Sequence, residues 1–228
     1  FIISSPIQPA GCVHPAHHIF CGGSGVYLGH GLMLTNQHVA LLLSEESSFL
    51  VPAWRHLWHT LDAGVRKVVY LDRDIELGIV ELQPSMLNIA RVATPCLSTR
   101  PLQRGDTLRV TSDVHGTFPP VAATLVVSEA RPLMRLDPDP RELNPYSAMT
   151  IIATLSAEQA KLVGKGSSGG PVLNDKGELV GLAWTGRESG EGSSEVWITP
   201  VSAWLSRLQA AEIPKDVSQR VLGAKCAQ

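Results

Sequence analysis

The chain has 228 residues, a formal net charge of −2 and 44% apolar residues. That length can bury one large core or two small ones, whereas so small a charge and a sequence pI near 6.5 leave no electrostatic footprint for nucleic acid or an anionic membrane surface. The longest apolar runs, such as Val39 to Leu43, fall far short of the roughly 20 residues that span a bilayer, so the chain is expected to be soluble, without a membrane span.

The chain opens on Phe1 with no basic stretch leading into an apolar one, which reads as a processed product or an excised fragment, with a secreted or periplasmic setting left open. The segment CVHPAHHIFC places His14, His17 and His18 between Cys12 and Cys21. A tetrahedral zinc set is one reading of it, but the spacing fits no common finger, and a local disulfide or free thiols is the expectation, with no metal. Cys96 and Cys226 complete four cysteines, whose pairing the sequence does not decide.

Short apolar runs between Gly, Pro, Asn and Asp punctuation predict an all-β protein. Strands are expected near Ser24–Leu28, Leu32–Asn36, Val65–Leu71 and Ile75–Leu82. After a proline-marked linker come others near Thr107–Thr111, Ala122–Ser128, Met149–Thr154, Gly170–Leu173, Glu178–Trp184 and Glu195–Ile198. Two barrels account for these ten strands. At the end, Val201, Trp204, Leu205 and Leu208 share one helical face behind Pro200, predicting a single terminal helix.

The stretch GKGSSGGPVL, Gly164 to Leu173, encloses two serines. Flexible Gly/Ser spacers are longer and repetitive; this run is bounded by Val163 and a strand. A serine becomes a nucleophile only when a base takes its proton, and glycines let the main chain turn its N–H groups towards a developing oxyanion. Gly166, Ser168 and Gly170 also fit the GxSxG elbow of α/β-hydrolases. That elbow needs a helix and a later histidine; here Pro171 starts a strand and no histidine follows Ser168. The base therefore lies upstream, and His38 stands where a predicted strand ends. Elsewhere the bland readings are preferred. The His56–His59 pair reads as a surface loop rather than a metal pair; Trp54, Trp58 and Trp204 read as packing residues; His30, His115 and the Leu136–Pro145 segment read as exposed turns or loops.

The segment GSGVYLGHGLMLTNQHVA around His38, together with Gly166–Pro171 as GxSGGP, resembles the chymotrypsin-fold serine proteases, closest to the Deg/HtrA branch. The resemblance extends over most of Gly23 to Leu208. It implies two six-stranded antiparallel β-barrels and a C-terminal helix, divided as an extension (1–22), a barrel carrying histidine and aspartate (23–100), a barrel carrying serine (101–200) and a helix with tail (201–228). It implies a serine endopeptidase acting on protein or peptide substrates through an acyl-enzyme, with no cofactor. Ser168 is then the nucleophile and His38 the base, while the N–H groups of Gly166 and Ser168 form the oxyanion hole. The family's strand reading D, aliphatic, A, aliphatic is approximated by DIELGIVEL, which points to Asp74 as the acid, with Asp72 as fallback; Glu76 stands where a small residue is usual. Leu162, Ala183, Trp184 and Thr185 are matched to the wall and floor of the S1 pocket, implying a small or medium apolar P1 residue. A catalytically silent or latent binding module of the same fold, and an esterase using the same three groups, are the alternatives.

Overall fold

The computed structural model describes residues 2–5, 21–43, 49–51, 63–82, 94–112, 121–136, 147–164, 166–189, 193–210 and 213–226. Cys12 with its neighbouring histidines, Trp54, Trp58, His56, His59, His115 and residues 137–146 lie outside them. The N-terminal half contributes β1 (Ile2–Ser5), β2 (Cys21–Ser24), β3 (Val26–Gly29), β4 (Leu32–Thr35), the short helix α1 (Gln37–Leu42), β5 (Phe49–Val51), β6 (Ala63–Asp72) and β7 (Leu77–Leu82). The C-terminal half contributes β8 (Thr107–Ser112), β9 (Val121–Leu136), β10 (Ser147–Leu155), α2 (Ala157–Ala160), β11 (Pro171–Leu173), β12 (Leu179–Ser189) and β13 (Ser193–Pro200), followed by α3 (Val201–Ala210) and α4 (Lys215–Gly223).

Strands β8 to β13 form a closed barrel in the order β10-β13-β12-β11-β8-β9. Its interior follows from alternation along the strands: Ala123, Leu125 and Val127 of β9 and Leu108 and Val110 of β8 are buried, while Ala122, Thr124 and Val126 face outward. They meet Ile151, Val172, Val180, Ala183, Val196 and Ile198 in one cluster.

The N-terminal half corrects the expectation of a second closed barrel. Its seven strands form one antiparallel sheet in the order β2-β1-β5-β6-β7-β4-β3, and no ladder joins the two end strands among the described residues. Those end strands, β2 and β3, are consecutive in the chain with only Gly25 between them. The ends of the sheet are thus two arms of one bent strand, linked through the covalent backbone rather than by hydrogen bonds.

Val201, Trp204 and Leu208 of α3 are buried, as their helical spacing predicts. They pack with Leu34, Leu77 and Ile79 of the sheet and with Val217 and Val221 of α4. Helix α4 was not expected, because only two of its side chains are buried, one turn apart, and so narrow a stripe barely registers as a period. Cys96 and Cys226 form a disulfide across 130 residues of sequence, and beside it Leu97 N–H donates to Ala224 O at 2.7 Å. Among the described residues, the one group of three potential metal ligands is Cys96, Glu178 and Cys226, whose two sulfurs are the disulfide pair. No helix is long and apolar enough to cross a membrane among the described residues.

A polar cluster ties α3 to the end of β6. Arg207 donates from Nε to Asp72 Oδ2 at 2.8 Å and from Nη2 to Asp74 Oδ2 at 2.7 Å, and the Tyr70 hydroxyl donates to Asp72 Oδ2 at 2.7 Å. Burial pushes the Asp72 carboxyl up, but Arg207, Tyr70 and the Asp74 N–H outweigh it and hold the group below its ordinary value. Burial, with the hydrogen bond to Asp72 behind it, pushes the Tyr70 phenol well above its usual range.

The stability due to Asp72 is accordingly present above the ordinary carboxylate pKa and lost as pH falls through the lowered folded value. That due to Tyr70 is present below the ordinary phenol pKa and lost as pH rises through the raised one. Asp72→Asn should cost about 1–2 kcal/mol at neutral pH and flatten the fall in urea midpoint between about pH 5 and 2. Tyr70→Phe should flatten the alkaline side; an acid limb unchanged by Asp72→Asn would contradict the assignment.

Candidate active site

His38 is the second residue of α1, which starts immediately after β4. The residue before the helix, Asn36, makes no side-chain cap; its Nδ2 donates instead to Glu76 O at 3.0 Å, and Gln37 N–H donates to the same oxygen at 3.2 Å. Two donors from the helix start thus fix the backbone of residue 76. The carboxylate of that residue completes the contact: Glu76 Oε2 lies 2.8 Å from His38 Nδ1 and accepts from His38 N–H at 3.4 Å.

Glu76 is fully buried, while the His38 side chain keeps 23% of its exposure. A buried carboxylate is costly unless it is paired and hydrogen-bonded, and here Oε2 has both the imidazole and a main-chain donor. Oε1 has no protein partner among the described residues, so Oε2 carries the contact. The Glu76 backbone is left-handed, with φ 45°, a conformation that costs a non-glycine residue about 1–2 kcal/mol. Such a conformation persists only where its surroundings over-determine it, and the surroundings here are explicit. Asp72 Oδ1 accepts from Asp74 N–H at 3.0 Å, forming an Asx turn. Ile75 is anchored in the core, and Glu76 N–H donates to Arg73 O at 3.3 Å.

The expected partner of the imidazole, Asp74, is therefore not the residue found there. Its side chain is 57% exposed and is engaged by Arg207; Asp72, the fallback, is held by Arg207 and Tyr70. The physical reason is the turn at residues 73–76: the two aspartates build it and its last residue, Glu76, is delivered inward. The signal for Glu76 was present in the sequence. ELGIV, from Glu76 to Val80, fits acid, aliphatic, small, aliphatic more closely than DIEL does once glutamate is admitted in the acid position.

Ser168 lies in the turn between α2 and β11. Its Oγ donates to Trp184 O at 2.8 Å. A hydroxyl has one proton to donate, so that proton is on the main chain of β12 and not on the imidazole. Gly169 sits at φ 83°, and a Cβ there would collide with Ser24 O and Thr35 Oγ1. Gly23 fills the narrow space between the Val39 side chain and Ser168 O, where a Cβ would stand 2.5 Å from Val39 Cγ1. The helix carrying His38 and the turn carrying Ser168 therefore both pack close to one glycine.

The residues matched to S1 are distributed differently. Leu162 is half-buried against the barrel core, the Ala183 side chain is inside that core, and the Trp184 ring is buried 5.4 Å from the Trp197 ring. Thr185 pairs with Trp197 across the β12–β13 ladder, and its side chain lies outside the described residues. What β12 presents to Ser168 is the Trp184 carbonyl. Ser24 and Thr35, which also meet the serine turn, were not singled out by the sequence.

The family profile of the trypsin-like peptidase domain matches residues 23–182. No curated protein matches the chain in sequence. Among solved structures, the active form of the Rv3671c protease from M. tuberculosis superposes with a TM-score of 0.61 at 14% identity, covering 93% of this chain and 80% of that one. The inactive form of the Rv3671c protease gives 0.59 at 15%, covering 90% and 87%. The serine endoprotease from Yersinia pestis gives 0.57 at 15% identity over 92% of this chain and 61% of its own. The HtrA-type protease AlgW with a tripeptide gives 0.56 at 15%, over 92% and 58%. At these identities the superpositions speak for the fold, and the family match speaks for descent. The chain belongs to the trypsin-like peptidase domain family.

Proposed function

We propose that the chain is a serine endopeptidase in which Ser168 is the nucleophile, His38 the base and Glu76, in place of Asp74, the acid that orients the imidazole. The half carrying His38 (23–100) and the half carrying Ser168 (101–200) supply the two sides of the site. The observation that carries this reading is the buried Glu76 carboxylate 2.8 Å from His38 Nδ1, in a chain of the trypsin-like peptidase family. With Nδ1 facing the Glu76 carboxylate, Nε2 is the imidazole nitrogen assigned to take the proton.

Catalysis begins when the Ser168 hydroxyl turns from Trp184 O towards Nε2. Its oxygen then forms a bond to a peptide carbonyl carbon while His38 takes the proton, and the resulting imidazolium sits beside the Glu76 carboxylate. The N–H groups of Gly166 and Ser168 receive the oxyanion, each such donor contributing about 3 kcal/mol. His38 returns the proton to the amine nitrogen as the C–N bond breaks, leaving an acyl-enzyme that water hydrolyses with His38 again as base. No cofactor enters these steps. The preference for a small or medium apolar P1 residue is retained as part of the proposal, with Leu162 and the main chain of Ala183, Trp184 and Thr185 beside it.

The Ser168–Trp184 hydrogen bond favours a latent resting state within this reading, since the nucleophile must leave an acceptor before it meets its base. A silent binding module differs from a latent enzyme in being unlabelled by a serine-directed probe under every condition.

A fluorophosphonate probe should label the wild type stoichiometrically and Ser168→Ala not at all; a folded wild type that neither labels nor cleaves peptides contradicts the proposal. Glu76→Gln should lower kcat on a peptide substrate by about 10⁴-fold, the effect of replacing the acid of such a triad by its amide. Asp74→Asn should change it by less than about threefold, as expected for an exposed surface charge. The reverse ranking would return the orienting role to Asp74.

A further inference from the structure

We infer that Ser24 is a positioning residue of the oxyanion site: its hydroxyl and amide, supplied by the opposite half of the molecule, clamp the two carbonyls that flank the nucleophile turn. The inference rests on the serine-peptidase reading above. Ser24 closes β2 and is almost wholly buried. Its Oγ donates to Gly166 O at 2.7 Å, its N–H donates to Ser168 O at 2.7 Å, and its own carbonyl accepts from Thr35 Oγ1 at 2.6 Å. Thr35 is itself fully buried on β4, so the clamp is mounted on the sheet that carries His38.

The consequence follows peptide plane by peptide plane, because the C=O and N–H of one plane point in opposite directions. In the plane joining residues 166 and 167, the carbonyl is held by Ser24 Oγ and the Ser167 N–H by Gly164 O at 2.9 Å. In the plane joining 168 and 169, the carbonyl is held by Ser24 N–H and the Gly169 N–H by Ala183 O at 2.8 Å. The plane between them has its Ser167 carbonyl on Gly170 N–H at 2.8 Å. Its other end, the Ser168 N–H, takes no acceptor among the described residues. Three successive planes are thus fixed so that one main-chain donor is left over. The Ser167 side chain does not compete for it, since its Oγ accepts from Gly164 N–H at 3.0 Å. Gly166 itself is held at φ 98°, a conformation maintained from its carbonyl side by the Ser24 hydroxyl. Loss of that hydroxyl frees the plane joining residues 166 and 167 to rotate and, with it, the setting of the Ser168 N–H one plane on.

A residue acting this way stabilises the transition state and leaves ground-state binding nearly alone. The test compares wild type and Ser24→Ala on one peptide substrate and with a peptide boronate, whose tetrahedral adduct places an oxygen in the oxyanion site. Ser24→Ala is expected to lower kcat about 10- to 100-fold, less than removal of an oxyanion donor itself, with KM within about twofold. Affinity for the boronate should fall by a similar factor to kcat. An unchanged kcat beside an active wild type overturns the inference, as does a loss of kcat with boronate affinity intact. An inert, folded wild type fails in its own arm and overturns the peptidase reading as well. Should Ser24→Ala not fold, Ser24→Cys, which nearly preserves volume and weakens only the donor, carries the same expectations.

Discussion

A buried carboxylate 2.8 Å from one nitrogen of a partly buried imidazole is the contact on which the rest of this site depends. It holds the imidazole through Nδ1, and it requires the surrounding chain to accept a buried acid and a left-handed backbone at Glu76. Both costs are met locally. Asn36 and Gln37, at the start of the histidine helix, hold the Glu76 carbonyl, so the two partners are positioned by the same three consecutive residues. Asp72 shapes the turn from outside and Ile75 anchors it from inside.

The turn that presents Glu76 also ties helix α3 to an otherwise β protein. Arg207 of α3 grips both aspartates of the acid turn, and Met149 of β10 donates to Asp74 O at 2.8 Å, so the turn is braced by the opposite half. Ser24 braces the serine turn in the reverse direction. Each half therefore fixes a loop belonging to the other, and the relative placement of imidazole and hydroxyl is set by these crossed contacts rather than by either half alone.

Much of this was legible because certain chemistry demands certain residue types at fixed spacing. GSSGGP needs its glycines: Gly166 and Gly169 have positive φ. The Asp175–Gly177 turn folds as expected between β11 and β12, with Asn174 Oδ1 taking the Lys176 and Glu178 N–H groups. That Glu76 is the acid meeting His38 was masked by a chemically small change, glutamate standing where aspartate was looked for. Which face of β12 would meet a ligand was hidden for another reason. Both faces of β12 are covered, Ala183 by the barrel and Trp184 by Trp197, and a strand buried on both sides has no alternation to show which face meets a ligand. Strands β1 and β5, of four and three residues, are too short to carry a period and exist through their partners.

The Nδ1–H proton of His38 reports the central contact directly, since a proton held between imidazole and carboxylate resonates far downfield in ¹H NMR. The account predicts that this resonance is present in the wild type, persists in Asp74→Asn and disappears in Glu76→Gln with the fold retained. Persistence in Glu76→Gln together with loss in Asp74→Asn would contradict it.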